Sequence, residues 1–300
     1  MSLPVTIIGG YLGAGKTTLV NHVLRNAGGL RIAVLVNEFG TLPIDEDLIE
    51  AEDGQMISIA GGCVCCAYGD DMAAAMTDLL RLDPSPDHVV LEASGVALPA
   101  SIAGTVSLLS GFSVDGIVVL ADAETVQKNA AHKFMGDTVT RQLAQADLVV
   151  VNKTDLVPDM AEVTAFVERH TQSAVIIPAT HGRLPPEVLL QSFPNTTLSG
   201  PGHAASIYCT LSLPADTPMD PQSTAAALAS ADLNLLRAKG FVQDVHGQRH
   251  AIQCVARRAT AQPTAPNAPL GLVVIGLTAT FNEPKIRAAL MTIRTNPVVS

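Results

Sequence analysis

Short apolar runs alternate with amphipathic segments along the chain up to about residue 195. The runs predict buried strands, and the segments between them, with apolar residues at helical spacing, predict helices. The predicted strands are VTII (5–8), RIAVLV (31–36), VVLE (89–92), GIVVLAD (116–122), DLVVVN (147–152) and AVIIPA (174–179). The predicted helices cover 16–26, 70–82, 99–109, 124–146 and 159–170. Repeated strand–helix alternation with continuously apolar strands predicts an α/β fold with a mostly parallel sheet.

The pattern changes after PNTTLSGPGHAA (194–205), which is polar and rich in turn-forming residues. We therefore predict a first domain at 1–195, a linker at 196–205 and a smaller C-terminal α+β domain at 206–300. Strands are predicted there at 206–213, 240–245, 250–258 and 270–277, and helices at 221–238 and 283–294. The segment ATAQPTAPNAP (259–269) is predicted to be a flexible hairpin loop, because its composition offers little apolar surface to bury.

Composition and charge limit the classes of binding partner that we expect for the chain. The formal charge of −10 disfavours binding to nucleic acid or to an anionic membrane surface. The start MSLPVTIIGG lacks the features of a signal peptide, and the apolar runs are too short to span a bilayer. Five cysteines, three of them clustered, do not indicate a secreted disulfide framework. We expect a cytoplasmic protein without nucleic-acid or membrane partners.

The strongest motif is GYLGAGKT (10–17), which matches the P-loop pattern G-x-x-x-x-G-K-[ST] between a predicted strand and a predicted helix. Such a loop turns backbone N–H groups toward phosphate at the positive end of a helix. The lysine neutralises the β- and γ-phosphates and the threonine hydroxyl ligates Mg²⁺. The predicted phosphate-binding residues are Gly10, Gly13, Ala14, Gly15, Lys16, Thr17 and Thr18. Of these, Lys16 and Thr17 are also predicted to serve hydrolysis, with Thr17 as a Mg²⁺ ligand.

The segment NKTD (152–155) indicates the base. It resembles the N-K-x-D motif with which GTPases select guanine. A carboxylate at Asp155 can accept hydrogen bonds from N1–H and from the N2 amine, a pair of donors that adenine lacks. With Asn152 in the motif, Lys153 is expected to cover the base and the backbone near Ala179 to contact O6. GTP is therefore favoured, and ATP remains the alternative.

A third motif, LEASG (91–95), ends another predicted strand. In P-loop GTPases an acid at this place helps to organise Mg²⁺, usually through water, and the glycine can contact the γ-phosphate. Glu92 and Gly95 are the corresponding residues. The alternative is an acidic strand end that merely faces solvent. No Ras-like glutamine follows Glu92, so we expect slow intrinsic turnover.

The stretch GGCVCC (61–66) places Cys63, Cys65 and Cys66 close together. Three thiolates can hold Zn²⁺, Co²⁺ or Cu⁺. Because structural zinc usually has four protein ligands, three cysteines leave one position open, as a site that transfers its metal requires. A C-x-x-C redox pair and a structural turn remain open as alternatives. The cluster lies between the P-loop and Glu92, the interval in which GTPases have their switch segments.

Taken together, the motifs resemble those of the CobW-like metallochaperone GTPases, relatives of the GTPases that mature hydrogenase and urease. The resemblance rests on GGYLGAGKTTL, NEFGTLPID (37–45), GGCVCC, LEASGVALP, QLAQADLVVVNKTDL and LLRAKGF (235–241). It implies a P-loop NTPase fold followed by a CobW C-terminal-like domain. It further implies a GTPase whose cysteine motif binds a transition metal, commonly Zn²⁺, and whose nucleotide state controls delivery to a client metalloprotein. By the same resemblance Glu38 falls in the switch I region, where it could position water or sense metal.

Several readings stay open beside this one. Co²⁺ is the alternative cargo, for cobalamin synthesis or for activation of nitrile hydratase. The chain could instead be a GTP-dependent assembly factor with purely structural cysteines, or a P-loop kinase or general ATPase. A homodimer is a possible assembly. Many relatives carry a histidine-rich stretch that is missing here, and His246 and His250 are predicted to belong to a solvated turn.

Overall fold

The computed structural model of the chain describes residues 2–36, 56–60, 70–190 and 207–295. The chain divides into two compact units, Met1–Gln191 and Ser192–Ser300. The predicted linker at 196–205 lies outside the described residues, so the boundaries of the predicted domains remain predictions.

The first unit contains a sheet of seven parallel strands in the order β3-β2-β4-β1-β5-β6-β7. The strands are β1 (Leu3–Gly10), β2 (Ile32–Val36), β3 (Met56–Ala60), β4 (His88–Glu92), β5 (Phe112–Asp122), β6 (Leu148–Asn152) and β7 (Val175–Pro178). The helices are α1 (Lys16–Arg25), α2 (Asp70–Leu79), α3 (Pro99–Leu108), α4 (Val126–Ala130), α5 (Gly136–Ala144), α6 (Met160–His170) and α7 (Pro186–Leu189). The predicted mostly parallel α/β sheet is confirmed.

Both faces of this sheet are buried, which explains why its strands are apolar without alternation. One set of strand side chains, such as Ile7 and Leu91, shares a core with apolar residues of α2, α3, α5 and α6. The alternate positions, such as Ile8 and Leu120, are equally buried, each at 1% exposure. Because successive side chains point to opposite faces of a strand, each central strand contributes to a core on both sides.

Three details of the first unit differ from the prediction. The strand β3 was not predicted, and neither was the short helix α7. The single helix predicted at 124–146 is wrong, because α4 ends at Ala130 and α5 begins at Gly136. At this break Gly136 approaches the carbonyl oxygen of Ala130 so closely that a Cβ would clash with it. Backbone packing therefore breaks a helix that periodicity alone would continue.

The second unit is an antiparallel sheet in the order β11-β10-β9-β12-β8 with two helices. Its elements are β8 (Tyr208–Leu213), α8 (Pro221–Leu228), β9 (Leu235–Gln243), β10 (Arg249–Val255), β11 (Arg258–Pro263), β12 (Gly271–Leu277) and α9 (Glu283–Thr295). Side chains of both helices share a core with alternate residues of the strands. The predicted C-terminal α+β fold is confirmed.

Three predictions in the second unit are wrong, in whole or in part. The helix predicted at 221–238 ends at Leu228, and the segment RAKG lies within β9, where Gly240 lies too close to the backbone of Gly271 to admit a Cβ. The strand predicted at 250–258 is two strands, β10 and β11, joined by a tight turn with Ala256 at φ 49°. Part of the predicted flexible loop is therefore the edge strand β11, whose backbone is ordered by pairing with β10 regardless of its composition.

Within the part of the chain that the structure describes, no helix is both long and apolar enough to cross a membrane.

Candidate nucleotide-binding site

The three predicted nucleotide motifs meet at one edge of the parallel sheet. The P-loop follows β1, Glu92 is the last residue of β4, and Asn152 is the last residue of β6. All three strands run in the same direction, so their carboxyl ends lie at the same edge. The strand β1 lies between β4 and β5, where successive connections leave in opposite directions. Open α/β sheets bind their ligands at such a switch point.

The P-loop depends on close backbone approaches that only glycine permits. Gly10 has φ 133° and approaches the backbone of Leu120 on β5 too closely for a Cβ. Gly15 has φ 97° and likewise approaches the side-chain amide of Asn152. The helix α1 begins at the next residue, Lys16, which is 9% exposed. The loop therefore connects β1 to the start of α1, as the motif requires.

Thr17 and Glu92 are brought together although they are far apart in the sequence. The Thr17 hydroxyl donates a hydrogen bond of 2.9 Å to Oε1 of Glu92. Glu92 is 4% exposed. A hydroxyl and a carboxylate oxygen side by side are hard ligands of the kind that Mg²⁺ prefers. The two residues predicted to organise Mg²⁺ thus fit that ion.

Gly95 lies in the turn that follows β4, against Leu12 of the P-loop. The turn is closed by a backbone hydrogen bond of 3.0 Å from Ala97 N–H to the carbonyl oxygen of Ser94. The predicted γ-phosphate residue is therefore adjacent to the predicted phosphate loop.

Asn152 connects the phosphate loop to the segment after β7. Its Nδ2 donates to the carbonyl oxygen of Ala14 at 3.0 Å, and its Oδ1 accepts from the N–H of Gly182 at 2.9 Å. Asn152 is 2% exposed, so these two bonds satisfy both ends of a buried amide. The asparagine of NKTD therefore fixes the P-loop relative to the segment that follows β7.

Lys153 has a partner that the sequence reading missed. Its Nζ lies 2.7 Å from Oδ2 of Asp122, the last residue of β5. Lys153 itself has φ 61°, a left-handed conformation, immediately after β6. Oδ1 of Asp122 accepts from the N–H of Glu124 at 2.9 Å, which orients the carboxylate. The signal available in the sequence was an acid at the end of an apolar strand, the same signal that identified Glu92.

The groups around Ala179 are largely engaged within the protein. The Ala179 N–H donates to the carbonyl oxygen of Val151 at 2.8 Å. Its carbonyl oxygen accepts from the N–H of Thr154 at 3.2 Å and from the hydroxyl of Thr154 at 3.1 Å. Asp155 lies exposed in the short turn Thr154–Leu156. The structure therefore places NKTD beside the segment that starts at Ala179.

Four predicted site residues, Glu38, Cys63, Cys65 and Cys66, lie outside the described residues. Among the residues that the structure does describe, no group of three or more His, Cys, Asp or Glu side chains could hold a metal ion.

His246 and His250 both belong to one hairpin. The backbone N–H of the exposed His246 donates to Oδ1 of Asp244 at 2.9 Å, and Nε2 of the half-buried His250 lies 3.0 Å from Oδ2 of Asp244. Burial raises the pKa of Asp244, but the hydrogen bonds from His250 and from the backbone outweigh it and lower the pKa overall. The predicted solvated turn includes His246, but the prediction is wrong for His250, which lies in β10 and is half-buried. The contacts with Asp244 account for both histidines without a ligand.

Comparison with known proteins gives two family matches that cover most of the chain. Residues 4–181 match the family described as "CobW/HypB/UreG, nucleotide-binding domain". Residues 208–294 match the "Cobalamin synthesis protein cobW C-terminal domain".

Curated relatives agree with these matches. The chain is 30% identical to the "Zinc chaperone CobW" of Sinorhizobium sp, over 96% of each protein. It is 36% identical to the "Zinc chaperone CobW" of Pseudomonas aeruginosa, over 63% of this chain and 59% of that protein. Among solved structures, Zn(II)-bound YjiA GTPase from E. coli is 24% identical, with a TM-score of 0.48 over 98% of this chain and 99% of that one.

Proposed function

The chain belongs to the CobW/HypB/UreG family of nucleotide-binding proteins, and on this premise we propose that it is a GTP-hydrolysing metallochaperone. In this proposal it binds a transition metal, Zn²⁺ first among the candidates, at the C-x-C-C motif and delivers the metal to a client metalloprotein. Nucleotide state controls the affinity for the metal.

One observation carries the nucleotide part of the proposal, namely two side-chain bonds that join the three motifs. The hydroxyl of Thr17 binds the carboxylate of Glu92, and the amide of Asn152 binds the P-loop carbonyl of Ala14. The residues for phosphate, for Mg²⁺ and for the base are thus held in one arrangement, which supports a P-loop nucleotidase better than three unrelated local motifs would.

Guanine is the base that this arrangement favours. The carboxylate of Asp155 is exposed in the short 3-10 turn Thr154–Leu156 and can accept from N1–H and the N2 amine. The Ala179 N–H already binds Val151, so a later N–H of the same segment is the donor that we propose for O6. Adenine offers neither the paired donors nor the O6 acceptor, so ATP should bind far more weakly.

Hydrolysis in this proposal depends on positioning and on charge. Lys16 neutralises the β- and γ-phosphates, and the backbone N–H of Gly95 faces the γ-phosphate. Thr17 and Glu92 would hold Mg²⁺, and the ion would supply further neutralisation of the phosphate oxygens when bound. Glu38 remains the candidate for positioning water. No glutamine of the Ras type follows Glu92, so intrinsic turnover should be slow.

The metal part rests on the cysteine motif and on the relatives. Three thiolates in four positions, at Cys63, Cys65 and Cys66, suit Zn²⁺ and leave a tetrahedral ion one open position. The curated relatives are called zinc chaperones, which favours Zn²⁺, with Co²⁺ as the alternative. The motif lies between the P-loop and Glu92 in the sequence, so a change at the γ-phosphate could alter the ligand field of the cysteines.

Elemental analysis of anaerobically purified protein tests cargo and coupling together. The expected result is about one equivalent of zinc per chain that depends on the thiolates. Competition titrations should then give different zinc affinities with a Mg²⁺–GTP analogue and with GDP. The triple variant Cys63→Ser, Cys65→Ser, Cys66→Ser should lose the metal and keep GTP binding. Equal zinc affinity in both nucleotide states would contradict the coupling. Client activation by the triple variant would favour the assembly-factor alternative.

A direct comparison of GTP with ATP tests the nucleotide assignment. Hydrolysis and binding of the two nucleotides are measured with Mg²⁺ under identical conditions. Preference for GTP is expected, and equal use of ATP would contradict the role proposed for Asp155.

A further inference from the structure

The turn after β4 is held from one side by a buried glutamine on α5. Nε2 of Gln142 donates to the carbonyl oxygen of Gly95 at 3.1 Å and to that of Ala97 at 2.8 Å. Gln142 is 1% exposed. Both amide hydrogens of one side chain thus bind two carbonyls of a single turn, and the interior location strengthens these bonds relative to water. Gln142 begins the stretch QLAQADLVVVNKTDL, but it was not among the site residues predicted from the sequence.

The same turn is held from the other side by the P-loop. A Cβ placed on Gly95 would lie 2.6 Å from Cδ2 of Leu12 and 2.9 Å from the Leu12 backbone nitrogen. Gly95 therefore has no room to move toward the P-loop, and Gln142 prevents it from moving away. Leu12 and Gln142 also line the same cavity beneath the P-loop.

Because Gly95 has no side chain, its backbone must be fixed by contacts such as those from Gln142. A residue without Cβ allows many backbone conformations, so a glycine at a phosphate-sensing position needs external contacts to keep its N–H directed at the ligand. The bond to the Gly95 carbonyl fixes the peptide that follows the glycine, and the bond to the Ala97 carbonyl fixes the end of the turn. Both bonds come from α5, which contributes no residue to the predicted phosphate site.

We propose that Gln142 is a positioning residue that holds the turn at Gly95 in the conformation in which its backbone N–H meets the γ-phosphate. It thereby determines how strongly the protein distinguishes GTP from GDP. The inference rests on the proposed function, since it requires that the chain binds GTP through Gly95. Gln142 contacts no phosphate itself and acts only through the backbone of the turn.

The substitution Gln142→Met tests the inference, because methionine keeps the length and the helix propensity and removes both donors. Affinities for GDP and for a non-hydrolysable GTP analogue are measured with Mg²⁺ in the full chain. The expected result is an about tenfold loss of affinity for the analogue, within the usual range of coupling between sites, while GDP affinity changes less than about twofold. Retained GDP binding and a cooperative thermal transition show that the variant is folded.

Gln145→Met is the matched control. Gln145 caps the C-terminus of the same helix, and its side-chain oxygen accepts from the N–H of Ala100 at 3.1 Å, beyond the turn at Gly95. This variant should keep the affinity ratio of the parent protein. If Gln142→Met fails to fold, Gln142→Asn, with an amide too short to reach both carbonyls, should give the same loss of discrimination.

Equal losses for the analogue and for GDP, or no loss for either, in whichever Gln142 variant folds would overturn the inference. A parent protein that binds neither guanine nucleotide would instead contradict the proposed function, and this is seen before any variant is compared.

Discussion

The two ends of the proposed nucleotide site, one for the phosphates and one for the base, are built differently. At the phosphate end, Lys16 and Thr17 come from one continuous motif, and the hydroxyl of Thr17 binds Glu92 on another strand. At the base end, Asn152 and Lys153 are both fixed by protein groups distant in the sequence. Lys16 and Thr17 of the proposed phosphate end are therefore placed by one local loop, whereas Asn152 and Lys153 of the proposed base end are placed by bonds to groups 30 or more residues away in the sequence.

Measurements of hydrolysis and of the affinities for GTP and GDP can distinguish the two ends. Groups that act on the γ-phosphate or on Mg²⁺ should change hydrolysis and the preference for GTP over GDP. GTP and GDP carry the same base. Substitution of a group that contacts the base should therefore change both affinities by the same factor and leave kcat unchanged.

The largest effect is expected for Lys16→Met. If Lys16 neutralises the β- and γ-phosphates as proposed, loss of its buried positive charge should lower kcat for GTP by about 10²–10³-fold, as for other removed donors that stabilise developing charge. Single-turnover hydrolysis measures it. Lys153→Met is the control, since it should weaken both nucleotides and keep kcat. Equal losses of kcat in the two variants would contradict the division of roles.

The next effect is expected for Asp155→Asn. Guanine loses its paired acceptor, so the affinities for GTP and GDP should both fall by about 10–100-fold, the range for a two-bond base contact. Xanthosine triphosphate has an oxygen where guanine has the N2 amine, so it should bind the variant better than the parent. Competition binding measures both changes.

Glu162→Gln, which changes an exposed acid on α6, is the control for Asp155→Asn and should alter neither affinity. A fall for GTP alone would show that Asp155 acts at the phosphate and not at the base.

A smaller effect is expected for Asp122→Asn. The variant removes the charge that attracts Lys153, whose side chain is 33% exposed and therefore partly screened by solvent. Affinities for GTP and for GDP should both fall by about 2–5-fold. Isothermal titration of the two nucleotides measures the ratio, which should not change. A selective loss of GTP binding would place Asp122 with the phosphate end.

The smallest effect concerns His22 on α1, whose Nε2 lies 3.0 Å from the carbonyl oxygen of Leu184, in the segment after Ala179. Burial lowers the pKa of His22 below 6.5, and the positive charges of Arg183 and Arg25 act in the same direction, against the hydrogen bond to Leu184. The unfolded chain then binds more protons than the folded one, so stability is full above about pH 6.5 and falls as the pH drops below it.

Urea unfolding across this pH range measures the effect, and His22→Gln should flatten the slope. An unchanged slope in that variant would show that another group titrates. His22 connects α1 to the segment after Ala179, so the slope of stability against pH also reports on the contact between these two segments.

Much of the fold follows from the sequence. Continuous apolar strands such as LVVVN predict burial on both faces, and the structure confirms it for the parallel sheet. The errors have a common cause. At Gly136 a close backbone approach breaks a predicted helix, and at β11 pairing with a neighbour orders a segment that has no strand pattern of its own. Both depend on contacts between residues that local periodicity does not describe.

The candidate site divides in the same way. The P-loop, Glu92, Gly95 and NKTD could be selected from the sequence, because phosphate, Mg²⁺ and guanine demand particular groups at fixed spacing. Only the tertiary structure brought Asp122 to Lys153 and Gln142 to Gly95, since each pair is formed by strands and helices that pack side by side after long connections. The residues proposed to contact the ligand belong to local sequence motifs. The residues that position them, such as Asp122 and Gln142, are brought close only by the packing of the whole domain.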